Sequence, residues 1–523
     1  MIDFTIKNYR CFADSEPARF TVRPGFTSFV GANNSGKSSL LRFFYEFRHL
    51  FAILASRNLL VYGFRGQTQS FQPAQSIKDT SDLFNDTNER SISIEMQFDT
   101  MARGICEKCK IVVEIPRVST NFTLKFFLGN KNLGQNLVEN GSHGLLFQLP
   151  NLVVDFAPFL KFCGDLQNSL YIGPFRNAIN VGSQEEYFDI QAGESFVKTW
   201  RNFKTGPNRK QNEAIYRITE EIGRIFDIAR LEINPSPDDR TLQIFVNGKS
   251  YKLNEVGSGL TQFIIVLASA AIRNPEYMLI DEPELNLHAS LQTDFLTTLG
   301  SYAGRGVLFG THNVGLARAG SDIVYAVRRI EQGKSDVRPL EALPRLSDFV
   351  GELGFSGYKE LGFDQVLLVE GATEVRTMQQ FLRPLKKEHK VVLIPLGGSA
   401  LINGDRGLEL QELKRISENV AALIDSERSS EAATLEPARQ AFSEVCAANH
   451  INCCVLKRRA TENYLTDAAV KRVKGNSHRS LAPYERLGDV SPSWSKSENW
   501  RIAREMEFND ISGTDLGEFL EKL

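Results

Sequence analysis

Long apolar runs are missing from this chain of 523 residues. The longest, Phe263 to Ile272, is about half of what a membrane-spanning helix needs. Nor does a charged-then-apolar segment open the sequence. Ile2-Asp3-Phe4-Thr5-Ile6 already alternates as a strand does, and a cytoplasmic location is expected. Charge of one sign is lacking too: 61 Lys and Arg face 63 Asp and Glu, for a net charge of −2. Such a chain has no global pull on nucleic acid or anionic lipid, so any DNA contact must come from local basic patches. The seven cysteines are few, odd in number and scattered, which argues against a disulfide framework and for a reducing compartment. Cys106 and Cys109 form one C-x-x-C with no second pair and no His at finger spacing, so two reduced thiols beside a strand fit better than zinc. Internal repeats, low-complexity tracts and sustained heptads are also absent, which excludes solenoids, fibres and a long coiled-coil arm. What is present, 42% hydrophobic and 24% charged residues, is the make-up of a globular protein. Its length fits about two to four domains of about 100–200 residues each.

Along the first half, strand and helix patterns interleave. Thr27–Val30 is a short apolar strand, followed by a Gly-rich turn and a helix predicted from about Lys37 to Arg48. Alternation predicts strands at Ser91–Phe98 and Lys110–Ile115, and an amphipathic pattern predicts a helix over about Asn212–Phe226. Leu242–Val246 and Ser250–Leu253 flank Asn247-Gly248, a strong hairpin signal. Tyr277–Ile280 and Val307–Gly310 read as buried strands. Pro339–Gly362 is loop-rich, with a linker placed at 341–361. Beyond it Val366–Val369, Val391–Pro395, Val420–Ile424 and Cys453–Leu456 alternate with helical stretches, the pattern of a parallel sheet covered by helices. After about residue 475 the chain turns polar, with Trp494 and Trp500 as large anchors and a last helix capped by Thr514 or Asp515. The fold class expected is α/β.

The first chemical signal is Gly31-Ala32-Asn33-Asn34-Ser35-Gly36-Lys37-Ser38, which fits G-x-x-x-x-G-K-[ST] between an apolar strand and a helix. Glycines let backbone N–H groups curl around phosphates, and the helix N-terminus adds its positive end. Lys37 would reach the β- and γ-phosphates and Ser38 would ligate Mg²⁺, with Ser39 next in line. A second carboxylate must hold that metal. Tyr277–Ile280 ends in Asp281-Glu282-Pro283, where Asp281 would hold Mg²⁺ through water and Glu282 would polarise the attacking water. Between these motifs Gly257-Ser258-Gly259 opens an apolar helix, and Thr311-His312-Asn313 closes the next strand.

In order and spacing these segments resemble the ATP-binding-cassette ATPases, in the branch that holds SMC proteins, RecF and the OLD (overcoming lysogenization defect) family. The resemblance implies that Gly257-Ser258-Gly259 is a signature turn binding the γ-phosphate of an opposing subunit, and that His312 is a switch histidine sensing it. Lys7-Asn8-Tyr9-Arg10-Cys11-Phe12 looks like the branch's opening strand, with Arg10 near the nucleotide. Tyr171-Ile172-Gly173-Pro174-Phe175-Arg176 resembles another family segment, and the role of Arg176 stays open. A signature turn supplies half of each ATP site, so at least a homodimer is expected. The cassette would span 1–340, with an inserted and dimerising region at about 178–235.

The second signal is a pair of acidic strand ends. Val366–Val369 runs into Glu370-Gly371-Ala372-Thr373-Glu374, and Val420–Ile424 into Asp425-Ser426-Glu427. In a parallel sheet both ends open on the same side, at the crevice where such folds bind ligands. Carboxylates converging there repel one another unless a hard divalent cation, Mg²⁺ or Mn²⁺, lies between them. This pattern resembles a TOPRIM domain, placed at 362–475 with a C-terminal extension at 476–523. In it Glu370 matches the invariant acid and Asp425 with Glu427 matches D-x-D, with Glu where Asp is commoner. The Gly397-Gly398-Ser399 turn would approach phosphate, and Lys457-Arg458-Arg459-Ala460-Thr461-Glu462-Asn463-Tyr464-Leu465 resembles the closing segment of TOPRIM domains in OLD proteins. Glu374, one helical turn after Glu370, joins the metal ligands by its place in the acid pattern; the closing segment adds Glu462 to them and places one of Lys457, Arg458 and Arg459 on the reacting phosphate. Lys471, Arg472 and Lys474 either track a DNA backbone or form a solvated helix face.

The fusion order matches the OLD-family ATP-dependent endonucleases. It implies a DNA-cutting enzyme gated by ATP that serves defence against phage. Such an enzyme acts alone or with a co-encoded partner, a helicase-like protein or a retron's reverse transcriptase with its DNA–RNA product. The alternative is a DNA-repair clamp of the SMC/RecF type whose TOPRIM domain does not cut.

Overall fold

The computed structural model describes residues 1–102, 105–117, 119–129, 131–132, 138–140, 146–149, 152–174, 186–191, 193–285, 287, 289–331, 334–340, 365–388, 390–396, 410 and 419–523. The chain divides into two compact units: Met1–His312 with Val324–Leu340, and Asn313–Ile323 with Glu341–Leu523. The linker expected at 341–361, the Gly397-Gly398-Ser399 turn and Arg176 lie outside the described residues, as do 178–185 of the inserted region.

The first unit is mixed α/β and contains two large sheets. One is antiparallel, with β1 (Ile2–Lys7) paired to β2 (Ala18–Val22) and to β4 (Ile92–Ala102), which continues through β5 (Ile105–Ile115) to β6 (Asn121–Leu128). Cys106 and Cys109 both fall on β5, and Cys109 is buried. The other sheet runs β7 (Ser169–Ile172), β11 (Tyr277–Asp281), β12 (Gly306–Thr311), β3 (Gly25–Val30), β13 (Ile323–Glu331), β14 (Lys334–Pro339). Its first four strands are parallel, and both β11 and β12 are buried at every residue. Strands covered on both faces have no polar side to show, which is why these read as unbroken apolar runs.

Three segments show how local sequence sets local structure. The helix after the Gly-rich turn, α1 (Lys37–Glu46), ends two residues before Arg48, where Phe47 leaves helical geometry and α2 (Arg48–Ala55) begins. In the inserted region α3 (Gly193–Thr205) is followed by α4 (Arg209–Ile225), whose start is fixed by the Asn208 side chain accepting from the N–H groups of Lys210 and Gln211. The hairpin β9 (Leu242–Val246) to β10 (Lys249–Lys252), in register with β8 (Leu231–Pro235), turns at Asn247 and Gly248. Both residues have positive φ, as a tight two-residue turn demands. The apolar helix α5 (Ser258–Arg273) precedes β11, and α6 (Ala289–Tyr302) lies between β11 and β12.

The second unit holds a four-stranded parallel sheet in the order β16 (Val391–Pro395), β15 (Gln365–Val369), β17 (Val420–Ile424), β18 (Asn452–Val455). Alternate residues of β15 and β17 feed two cores. Leu367, Val369, Ala421 and Leu423 enter one; Val366, Leu368, Ala422 and Ile424 enter the other with Phe442 and Cys446 of α8 (Pro437–Ala448). The first core also takes Val375, Met378 and Phe381 of α7 (Ala372–Leu382), and it is completed by Trp494, Ile502, Met506, Leu516 and Phe519. Residues beyond 475 are thus built into the same core as the central strands. The last helix, α11 (Asp515–Lys522), is capped by Thr514, whose hydroxyl accepts from Gly517 N–H at 3.2 Å. Two further helices, α9 (Asp467–Lys474) and α10 (Asn499–Arg504), precede it. Among the described residues no helix is long and apolar enough to cross a membrane.

Candidate functional site

The loop Gly31–Gly36 joins the end of β3 to the start of α1. Its two glycines are steric requirements. A Cβ on Gly31 would lie 2.1 Å from the Val327 carbonyl oxygen, and Gly36, at φ +109°, would meet Cys11 Sγ at 2.6 Å. Asn34 also takes a left-handed conformation, while Asn33 and Asn34 are exposed and Ser35 is buried. The first turn of α1 carries no acidic residue and no side-chain cap, so its N–H groups and positive end remain available to an anion. Lys37 is folded along the loop, donating to the carbonyls of Gly31 at 2.8 Å and Ala32 at 2.9 Å. Burial pushes its pKa down against the opposing pull of Asp281, Glu282 and Glu284.

Asp281, at the end of β11, is 2% exposed, and neither of its carboxylate oxygens has a hydrogen-bond partner of good geometry. Burial raises its pKa to about 6, with the Ser38 hydroxyl beside it the largest influence in the other direction. A buried, unsatisfied carboxylate next to a serine hydroxyl is a donor set that fits Mg²⁺, and Ser38 with Asp281 would hold the ion. Glu282 follows with φ 54° and donates its N–H to the Gly310 carbonyl at 2.8 Å, across the sheet. Two residues on, Glu284 is buried and accepts from the Thr311 hydroxyl at 2.5 Å and the His312 N–H at 3.0 Å. His312 Nδ1 lies 2.9 Å from the same Glu284 oxygen, and the ring is half exposed. Glu284 is a residue that sequence reasoning passed over. Its one local signal was a third acid two residues after Glu282, at the same strand end.

Asp281 carries a stability prediction. Its folded pKa stands above the usual 3.8, so the folded state binds more protons between about pH 4 and 6, and its stability falls as pH rises through that window. Asp281→Asn is therefore expected to stabilise the nucleotide-free protein at pH 7 by about 1–3 kcal/mol. The gain should vanish toward pH 4. Thermal melts at the two pH values check it, and an unchanged or lower melting temperature at pH 7 contradicts it.

The Gly257-Ser258-Gly259 turn forms the N-terminus of α5, with Gly257 and Ser258 exposed and no atom within 4 Å of a Cβ built on Gly257. Arg10 pairs with Glu46 of α1 at 2.5 Å and lies 3.2 Å from the Tyr9 hydroxyl. It lines a cavity of about 760 Å³ with Ser39, Arg42, Phe84, Arg117 and Phe188. Ser39 and Arg42 belong to the opening turns of α1, so the cavity adjoins the end of the Gly-rich loop.

In the second unit the strand order reverses between β15 and β17, and Glu370 and Asp425 follow the carboxyl ends of those two strands. That reversal is where parallel sheets open a crevice. Asp425 N–H donates to Glu370 Oε1 at 2.8 Å, and Asp425 Oδ1 accepts from the N–H and hydroxyl of Thr461 at 2.9 and 3.1 Å. Burial, then the charges of Glu370, Glu374 and Glu462, drive the pKa of Asp425 well up, and burial likewise raises that of Glu374. Four acids thus share one field. Two cations answer it. The Arg439 guanidinium, on α8, bonds Glu370 and the Asp425 carbonyl, while Lys496 Nζ lies 3.0 Å from Glu462 and 4.0 Å from Asp425. Glu462 also accepts from Asn499, whose oxygen is held by Trp494. The oxygen-rich set fits a hard divalent cation in kind, although among the described residues no three His, Cys, Asp or Glu stand at metal-holding geometry.

Other expected site residues fall elsewhere. Glu427, at φ 53°, turns to Arg459, whose guanidinium pairs with its carboxylate and whose carbonyl accepts its N–H at 2.8 Å, so its charge is answered there. Arg459 is correspondingly buried, and Arg458 lies over the Tyr464 ring at 4.7 Å. Lys457 is exposed, with its N–H bonded to Asp515. The second basic stretch is paired within the unit: Lys471 with Asp467, Arg472 with Glu505, Lys474 with Glu498. Each of these cations already has an acidic partner, which favours the solvated-face reading. Arg439 and Lys496 carried no local motif. They are placed by tertiary structure alone.

Arg439→Leu is expected to lower the stability of this unit by about 3–5 kcal/mol, because it removes the cation that answers the largely buried Glu370 carboxylate. Adding Glu370→Leu should recover most of the loss. Urea unfolding of the two proteins tests this, and a single variant as stable as wild type would contradict the pairing.

The AAA ATPase domain family model matches residues 1–143. No curated protein matches. Among solved structures, the SMC head domain from Thermotoga maritima is 14% identical with a TM-score of 0.33, covering 65% of this chain and 98% of that one. An SmcHead bound to the C-winged helix domain of ScpA is 12% identical with a TM-score of 0.36, covering 65% and 96%. An Smc head domain with an extended coiled coil bound to the C-terminal domain of ScpA, derived from Pyrococcus furiosus, is 12% identical with a TM-score of 0.34, also covering 65% and 96%. The family match and the geometry of Gly31–Ser38 with Asp281 define an ATPase domain in the first unit.

Proposed function

We propose that the protein is an ATP-regulated, divalent-metal-dependent endonuclease that hydrolyses DNA phosphodiester bonds. The observation that carries this reading is the gathering of Glu370, Glu374, Asp425 and Glu462 beside Lys496 at the crevice of a parallel sheet. Glu370, Glu374, Asp425 and Glu462 would hold the cation, which supplies polarisation of a phosphate and a more acidic bound water. Lys496 would face the phosphate's negative charge, Thr461 fixes the orientation of Asp425, and Arg439 fixes Glu370. The second unit would then be a TOPRIM domain.

In the ATPase unit, Gly31–Ser39 would cradle the phosphates, and the cavity beside α1 would take the base and sugar, with Arg10 on its wall. Glu282 would orient water and His312, held by Glu284, would report the γ-phosphate. The exposed Gly257-Ser258-Gly259 turn supports a dimer in which each chain completes the other's site. By its resemblance to the OLD family, cutting would serve defence against phage, alone or with a co-encoded helicase-like protein or reverse transcriptase and its DNA–RNA product.

One observation favours the second reading, a DNA clamp that does not cut. Arg439 and Lys496 already answer part of the acid charge, so the cluster has cations of its own. Plasmid nicking by the purified protein with Mg²⁺ or Mn²⁺, with and without ATP, separates the two. Nicking that requires the metal supports the endonuclease. Metal- and ATP-dependent DNA retention with no nicks under any condition supports the clamp.

A further inference from the structure

We propose that Asp189 is a positioning residue that ties the helix of the Gly257-Ser258-Gly259 turn to α2, the helix that directly follows the helix of the phosphate-binding loop. Asp189 is 6% exposed. Its Oδ1 accepts from Arg48 Nη1 and from Arg273 Nη1, both at 3.0 Å, and its Oδ2 accepts from Arg48 Nη2 at 2.5 Å and the Tyr171 N–H at 2.7 Å. One carboxylate thereby joins three elements. Arg48 opens α2, two residues beyond the end of α1; Arg273 closes α5; and Tyr171 lies in β7, which pairs with the Asp281 strand. Arg48 adds a bond to the Ser169 carbonyl at 2.9 Å, so its own position is fixed on both sides.

The neighbouring residue extends the connection toward the nucleotide. Phe188 adopts φ 55°, a left-handed conformation that a bulky residue takes only where its surroundings hold it. Tyr171 and Tyr45 pack against its ring at centroid distances of 5.0 and 5.7 Å, and the Arg42 guanidinium lies 5.4 Å from it. Phe188 and Arg42 both line the cavity next to α1. A contiguous set of groups therefore runs from cavity to Phe188, Asp189 and Arg273. From there α5, at about 1.5 Å per residue, carries a small rotation about 24 Å to the exposed turn. Arg48 and Arg273 both reach solvent, and ion pairs of that kind add little net stability, so the shared carboxylate serves chiefly to orient the elements it joins.

This inference rests on the reading of Gly257-Ser258-Gly259 as part of an ATP site, and the test separates the two. Asp189→Asn and Arg273→Gln are made in the full chain; Arg273 is 41% exposed, so its variant remains interpretable if the first fails to fold. Each is expected to lower the kcat of ATP hydrolysis by about tenfold while KM for ATP stays within about threefold, and the double variant should be no worse than either. Arg273→Lys should recover most of the loss. Hydrogen exchange gives a second readout that needs only ATP binding: ATP should slow exchange at Ser258–Leu260 in wild type and leave it unchanged in both variants. Unchanged kcat and exchange, or losses that multiply, overturn the assignment. A wild-type rate per chain that does not rise with protein concentration counts against the opposing-subunit reading, and leaves the coupling to be judged on the exchange result.

Discussion

Plasmid DNA incubated with the Glu370→Ala/Asp425→Ala protein is expected to stay supercoiled, while ATP hydrolysis continues at the wild-type rate. The two residues end neighbouring strands, β15 and β17, and are joined by the Asp425 N–H to Glu370 bond. They act as one unit, so either single change should be nearly as damaging as both, at roughly a thousandfold or more. Removing two of four like charges also relieves repulsion, which opposes the loss of the Arg439 pair; a melting curve beside the nicking assay separates inactivity from unfolding. Nicking that survives in the folded double variant would sink the endonuclease reading. Loss of ATP hydrolysis together with nicking would point instead to damage beyond the site.

Glu282→Gln is expected to bind ATP and to hydrolyse it about 10²–10⁴-fold more slowly, the range for losing a positioned general base. The exchange keeps the side chain's length and the backbone bond from Glu282 N–H to Gly310, so the loop and Lys37 are left in place. Binding energy from the phosphates persists while turnover does not, and the closed pair of chains should accumulate. Sedimentation with ATP reads the pair, and a chase with unlabelled nucleotide reads the lifetime of bound ATP. A variant that releases ATP as fast as wild type would remove Glu282 from its role. So would one that turns it over at an undiminished rate.

Those parts of the fold that are written in short contiguous segments were legible in the sequence. Gly31–Ser38 spells its loop within eight residues, although Val327 and Cys11, which make its two glycines steric requirements, come from far along the chain, and Asn247-Gly248 specifies its turn from its own φ preferences. The four strands of the second unit showed as apolar runs because both faces are covered. Legibility ended where a partner comes from far along the chain. Nothing local in Glu427 tells that Arg459 will claim it, or in Arg439 that Glu370 waits for it across the fold. Lys496 sits in a polar stretch that looked like an appendage, and its meaning depends on Trp494 and Ile502 entering the core beside β15. Asp189 likewise has an unremarkable sequence context, and its two arginines lie far from it in opposite directions along the chain.

The contribution of residues 481–520 to the core of the second unit bears on how the protein is made. Translation delivers Glu370, Glu374, Asp425 and Glu462 before Lys496, and before the apolar residues that seat it. A nascent chain therefore carries mutually repelling acids with no lysine among them and with one wall of their core still unsynthesised. The ribosome thus builds the acid cluster in an order that keeps it open until the lysine's own segment emerges and folds over β15 and α7. On the proposed reading, cutting competence would arrive late in synthesis, and the nucleic acid crowded around a polysome would be spared a half-made nuclease.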